Sequence, residues 1–267
     1  MSNSPVGAGL LGLVEGVTEF LPISSTGHLI VAQTVIGFKD PTETFSVVIQ
    51  TGAICSVIWY YRHDLLRQFR ELPENRETQR LILSVLIAFL PAVVLGFLFG
   101  DWITAHLFSP TVVALSLIVG GIAIWIIESI GFKPRIYRLE ETRVRQAIAI
   151  GFLQCLALVP GVSRSAASIF GGMFAGLDRK TATQFSFYLG MPTLVGAGLY
   201  KLVKDWHAVV DLGVLNLGIG LVVSFASGLL AVGWLLKFVA QNNFIGFAIY
   251  RIVLGLSLLA LVALQII

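Results

Sequence analysis

The residues that could do chemistry gather in two short stretches. The first, EGVTEFLPISSTGH, runs from Glu15 to His28 and sets two carboxylates, a run of hydroxyls and an imidazole inside an apolar segment. Glu15 and Glu19 are four residues apart, on one face of a helix, where two ionised carboxylates repel unless a positive group stands beside them. A divalent cation is the natural companion, because it relieves that repulsion and screens a phosphate-bearing guest. Glu15 and Glu19 are therefore its expected ligands, a shared proton being the plainer alternative. Ser25 and His28 fall three apart on the next helical turn, a spacing that lets an imidazole approach a hydroxyl. Three routes stay open on this pattern: attack by Ser25, attack by His28, or attack by a water that His28 activates. Ser24 and Thr26 extend the hydroxyl cluster toward an anionic substrate, although Ser24 or Ser25 must also serve in part as a helix cap.

The second stretch, PGVSRSAAS, runs from Pro160 to Ser168. Arg164 brings a permanent charge and a planar fork of donors suited to phosphate oxygens. A guanidinium in such a setting is costly without an anion, so a structural role is its weakest reading. Ser163, Ser165 and Ser168 cap the following helix or donate to phosphate oxygens.

Such groups need elements that carry them into an apolar interior, and the composition says what that interior is. Hydrophobic residues make up 56% of the 267-residue chain and charged ones 12%, with a mean hydropathy of +0.87. That balance is far from a soluble domain's. Six long, nearly charge-free stretches recur: Phe45 to Tyr61, Leu81 to Phe99, Thr111 to Ile127, Phe185 to Tyr200, Leu212 to Leu236 and Phe244 to Ile267. Most approach the roughly 20 residues of a spanning helix. The first residues lack a signal peptide's basic flank and cleavage site, so the first apolar segment is expected to belong to the mature chain. Cys55 and Cys155 have no second cysteine or histidine at ligand spacing and are expected to be packing residues. The net charge of +3 says little in such a chain, and no nucleic-acid partner is expected.

Arginine placement says more. Five arginines lie between Arg62 and Arg80, and four arginines and a lysine between Lys133 and Arg145. The positive-inside rule puts both segments in the cytoplasm, which fixes the direction of every span.

Two apolar segments remain, residues 7 to 37 and 147 to 177, each broken by Pro, Ser and Gly. They echo one another: GLVEGVTEFLPISSTG from Gly12 and GFLQCLALVPGVSRSA from Gly151 match in pattern at a separation of 139, with the proline shifted by one. Gln154 and Leu158 stand where the first copy has Glu15 and Glu19, so the chemistry is asymmetric although the scaffold repeats. If each broken segment dips into the membrane and returns, each half makes three crossings and the second half lies inverted. The expected fold is an all-α integral membrane protein. It has six transmembrane helices and two re-entrant helix-turn-helix hairpins, in one polytopic domain of inverted repeats, about 1–140 and 141–267. Each hydroxyl-rich stretch opens a helix after a proline, and two helix N-termini meeting at midplane make an anion site.

The glutamate-xxx-glutamate, PISSTGH and PGVSRS motifs in this order, with FAIYR at Phe247 to Arg251, resemble the undecaprenyl-diphosphate phosphatase family of bacterial membranes, also called bacitracin-resistance proteins. The resemblance covers essentially the whole chain. It departs from the family pattern in Ala166, where glycine is common, and in Ser168, where threonine is usual and the hydroxyl is kept. The resemblance implies hydrolysis of a polyprenyl diphosphate at the outer face of the plasma membrane, recycling of the monophosphate carrier for envelope glycans, a Mg2+ or Ca2+ requirement and bacitracin tolerance. The expected partners are the lipid substrate and the bilayer, with a homodimer left open. In the expected mechanism Arg164 and the helix ends clamp the diphosphate, Glu19 with Glu15 holds the metal, and Ser25 attacks while His28 takes its proton. The alternative is a polyprenyl-phosphate transporter or flippase, because inverted repeats with broken helices are also a transporter plan.

Overall fold

The computed structural model describes residues 4–266, which form twelve α-helices in two runs of six. The first run is α1 (Pro5–Thr18), α2 (Ser25–Ile36), α3 (Thr44–Tyr60), α4 (Arg62–Glu71), α5 (Arg76–Leu107) and α6 (Pro110–Ile130). The second is α7 (Val144–Gln154), α8 (Arg164–Phe174), α9 (Arg179–Lys204), α10 (Trp206–Leu212), α11 (Val214–Val239) and α12 (Ile245–Ala263). Local chemistry sets the starts. Ser4, Asn75, Ser109 and Asp178 each accept a backbone N–H of the first turn of α1, α5, α6 and α9, and proline follows at once in α1 and α6. Such caps contribute about 1 kcal/mol apiece.

Four helices, α5, α6, α11 and α12, are long and apolar enough to cross a membrane, and α3 with α4 makes a fifth if the pair, bent by 68°, is one span. This multi-pass set differs in detail from the six expected spans. Leu81 to Phe99 is the middle of the 32-residue α5, which continues through Pro91. Phe185 to Tyr200 lies inside the 26-residue α9, long enough at 1.5 Å per residue but more polar than the four. The span drawn to Ile267 ends, as α12, at Ala263, and Ile267 lies outside the described residues. Leu212 belongs to α10, not to the span that follows it. Large apolar side chains cover the outside, Phe97 being 84% and Leu230 77% exposed. In water such a surface would aggregate, and against lipid it is the expected contact.

The packing follows the repeat. α1 lies on α11 as α7 lies on α5, α3 packs on α11 as α9 packs on α5, and α3 meets α9 while α6 meets α12. Exchanging the two runs maps α1–α11 onto α7–α5 and α3–α11 onto α9–α5, and maps α3–α9 and α6–α12 onto themselves. Glycines at matching positions permit the two cross-half contacts: a Cβ on Gly12 would stand 2.5 Å from the Gly220 carbonyl oxygen, and one on Gly151 2.7 Å from that of Ala88.

Both broken segments are helix, break, helix, and both fold back. Gly7 near the start of α1 lies beside Ile36 and Phe38 at the end of α2. Gly171 in α8 lies against Ile150 and Leu153 of α7. The first turn is anchored by Phe20, fully buried, whose ring meets that of Phe187 edge-on with centroids 5.4 Å apart. Cys55 is exposed on α3, so it is not the packing residue expected, while Cys155 is half-buried.

Candidate active site

The breaks in the two hairpins bring their polar residues together. Ser24 and Ser163, 139 residues apart in the chain, both precede a helix in the left-handed region, with φ of 68° and 75°. Serine adopts this conformation only at some cost, so the strain at two matching positions marks both turns as fixed from outside. Across the junction Arg164 Nη2 donates to Glu19 Oε1 at 3.1 Å, an ion pair 10% and 7% exposed. Arg164 Nη1 donates to the Ser186 carbonyl at 2.9 Å. Ser25 Oγ donates to the other oxygen of Glu19, Oε2, at 2.7 Å. Glu19 thus links the guanidinium of one hairpin to a hydroxyl of the other. Arg164 also depends on α9, where a Cβ on Gly190 would stand 2.6 Å from Nη1.

A cavity of about 200 Å³ opens at this junction, bounded by Glu19, Ser24, Ser25, Thr26, Ser163 and Arg164, with Gln50, Gln154 and Phe108 among its other walls. It is large enough to hold several waters. The two helix ends differ. Ser163 Oγ accepts from the Ala166 N–H at 3.2 Å and caps α8. Ser24 makes no such cap, so the first turn of α2 presents uncapped N–H groups beside the cavity, the arrangement that binds anions.

The expected site residues other than Glu15 fall into three groups. Glu19, Ser24, Ser25, Thr26, Ser163 and Arg164 surround the cavity. Ser165 and Ser168 are fully buried behind it: Ser165 donates to the Leu21 carbonyl at 2.9 Å, tying the hairpins together, and Ser168 lies 2.8 Å from the Arg164 carbonyl and 2.7 Å from the Ser186 hydroxyl. In this structure both hydroxyls are engaged in contacts within the protein. The third is His28, and here the Ser25–His28 pair inferred from spacing is not made. Nδ1 lies 2.7 Å from the Ser24 carbonyl and Nε2 2.7 Å from the Tyr250 hydroxyl, with the two rings stacked. A carbonyl only accepts, so Nδ1 carries a proton, and when the ring is neutral Nε2 accepts from Tyr250. The spacing put the imidazole one turn along the helix, and long-range partners turned it away.

Glu15 is fully buried with neither carboxylate oxygen hydrogen-bonded. Its polar neighbours are Glu19, Ser25 and Arg164. Among the described residues no three His, Cys, Asp or Glu side chains cluster as a metal site. Two carboxylates, one with both oxygens free, still suit a hard cation that completes its shell with water and substrate phosphate, as Mg2+ does.

Arg251, singled out in the sequence only within a family motif, is the junction's hidden clamp. It is fully buried, and its hydrogens reach the carbonyls of Pro22 (3.2 Å) in the first turn and Gly161 and Val162 (3.1 and 2.9 Å) in the second. Ser116 and Leu117 of α6 accept the rest, at 3.2 and 3.4 Å. All five acceptors are neutral, so the hydrogens are satisfied while the charge stays uncancelled near the cavity. A lone arginine inside an apolar span was the available signal.

The fold and this junction define a multi-pass helical membrane protein with a buried polar centre assembled from two helix turns. The chain belongs to the family described as bacitracin resistance protein BacA, whose pattern matches residues 8–257. It is 55% identical over 257 residues to the undecaprenyl-diphosphatase of Deinococcus deserti, covering 94% of this chain and 93% of that protein. Identity is 53% over 258 residues to the undecaprenyl-diphosphatase of Deinococcus radiodurans, covering 95% and 94%. It is 50% over 258 residues to that of Albidiferax ferrireducens, covering 95% and 93%.

Proposed function

We propose that this chain hydrolyses undecaprenyl diphosphate to undecaprenyl phosphate and inorganic phosphate, returning the carrier for cell-wall synthesis and removing the lipid that bacitracin sequesters. The observation that carries this reading is Glu19, held between Arg164 of one hairpin and Ser25 of the other at the edge of a cavity inside apolar helices. Such a centre takes an anionic head while the prenyl tail stays in hydrocarbon.

Arg164 and the uncapped first turn of α2 hold the diphosphate. Ser25 Oγ attacks the terminal phosphorus, its proton passes to Glu19 Oε2, and the bond to the bridging oxygen breaks with the electron pair leaving on undecaprenyl phosphate. Water then attacks the phosphoserine, the P–Oγ bond breaks, and Glu19 returns the proton to Ser25 as inorganic phosphate departs. Glu15 and Glu19 would hold Mg2+ or Ca2+, which supplies neutralisation of charge on the phosphate oxygens. His28 holds the Ser24 carbonyl and so the turn that presents Ser25; attack by its imidazole would require both its hydrogen bonds to break.

The same reading makes the two hairpins re-entrant from opposite faces, in one domain of inverted repeats of about 1–140 and 141–267, with the bent α3–α4 pair and α9 completing six crossings. Support comes from the exchange of helix pairings between the halves. It also places the protein in the bacterial plasma membrane, basic segments inside. The cavity reaches Phe108, just past the end of α5 and remote from the basic residues at its start, which supports access from the outer side.

Purified protein in detergent, where no compartments exist to transport between, should release inorganic phosphate from undecaprenyl diphosphate. Rapid acid quench and peptide mapping should find the label on Ser25. Label on His28 would overturn the nucleophile, and no phosphate release would overturn the activity.

A further inference from the structure

One polar side chain in the cavity is used neither by the fold nor by the reaction above. Gln154 ends α7, is 2% exposed and lines the cavity, yet neither its amide oxygen nor its nitrogen has a hydrogen-bond partner among the described residues. A primary amide carries two donor hydrogens and an oxygen with two lone pairs, and buried ones nearly always use them. The other donors of the second hairpin are largely engaged. Arg164 Nη1 and Nη2 bond Ser186 and Glu19, and the Ser163 and Ser165 hydroxyls lie 2.9 Å apart, with Ser165 bonded onward to Leu21. Gln154 therefore faces the cavity with its hydrogens unspent.

Its position explains its type. Gln154 stands where the first hairpin has Glu15, and Leu158 where it has Glu19. A second pair of carboxylates would surround a diphosphate with negative charge on both sides, whereas a carboxamide offers N–H donors without that charge. We infer that Gln154 is a substrate-binding residue whose Nε2 donates to a non-bridging oxygen of the diphosphate held between Ser25 and Arg164. This rests on the phosphatase reading for the identity of the lipid, and on the orphaned amide for the contact.

The test compares the full-length protein with Gln154→Met and Gln154→Glu in detergent, reading phosphate release from undecaprenyl diphosphate and the thermal shift given by methylenediphosphonate. Gln154→Met should unfold at the same temperature as the parent or higher, because an unsatisfied buried amide is gone. Its KM should rise about tenfold with kcat little changed, the mark of lost binding that ground and transition states share. Its diphosphonate shift should shrink. Gln154→Glu should lose about 100-fold in kcat/KM, because a carboxylate then opposes the head group. A Gln154→Met protein with the parent's KM and diphosphonate shift would overturn the inference. Should that variant fail to fold, Gln154→Glu decides: a parental KM overturns the contact and a raised KM supports it. A parent that releases no phosphate would sink the phosphatase reading instead, while the diphosphonate shift still tests Gln154 as a diphosphate contact.

Discussion

The two hairpins share a backbone plan and divide the chemistry between them. Each is a helix, a strained serine and a second helix, and each turn gives a carbonyl to the same buried Arg251. The first carries Glu15, Glu19 and Ser25 behind an uncapped helix end; the second carries Gln154, Leu158 and Arg164 behind a helix end closed by Ser163. Negative charge and the proposed nucleophile lie on one side, positive charge and the proposed neutral donor on the other. The lesson concerns anion chemistry in a membrane. A carboxylate that accepts a proton must stand beside a substrate it repels, and a scaffold of paired halves lets the opposing half supply the balancing charge.

The sharpest ways to break this division act on its charged members. Ser25→Ala should reduce phosphate release by at least about 1,000-fold while the protein still purifies as a folded monodisperse species, because the attacking oxygen is gone. Arg164→Lys should cost at least about 100-fold in kcat/KM although the charge is kept, since an ammonium cannot bond the Ser186 carbonyl, Glu19 and phosphate through one planar fork. Gly190→Ala, which leaves every charged group in place but drives a methyl against the guanidinium, should lower kcat about tenfold; parental kinetics would mean Arg164 need not hold its observed place. Arg251→Met tests what the hairpins share: it frees carbonyls in both turns at once. It should lower the thermal midpoint by several degrees, following a loss of about 3 kcal/mol or more, with activity falling in parallel.

The smallest effect lies outside the membrane segments. Burial, with a lesser push from Asp40 and some relief from Lys201, raises the Glu43 carboxyl to about 7. Between its ordinary value and about 7 the folded state binds more protons than the unfolded one, so this group's contribution to stability falls as pH rises through that window. Glu43→Gln should therefore raise the thermal midpoint at pH 8 and change it little at pH 4, without altering the division of labour between the hairpins.

Much of the junction was legible because its signals are local. Proline followed by hydroxyls announces a broken helix, and carboxylates four apart or an arginine inside an apolar segment demand a partner, so the meeting of Glu19 with Arg164 followed from charge and topology. What escaped was decided by contacts distant in sequence. Ser25 and His28 have the right spacing for a pair, but Tyr250, 222 positions away, holds the ring, and Glu19 takes the hydroxyl. Arg251 reaches Pro22 over 229 positions, and no periodicity announces that. The charge-free stretch Leu81 to Phe99 is shorter than α5 because the helix runs on into the polar residues on either side of it. The more polar α9 was read as a span from its central apolar residues alone.

The double-mutant cycle between Ser25→Ala and Arg164→Gln, read as phosphate release from undecaprenyl diphosphate, tests most directly whether two hairpins build one catalytic centre. If they do, the double variant should be no slower than the slower single one, because either change already disables the shared unit. Losses that multiply would place Ser25 and Arg164 in separate functions and contradict the assembly of one site from both turns.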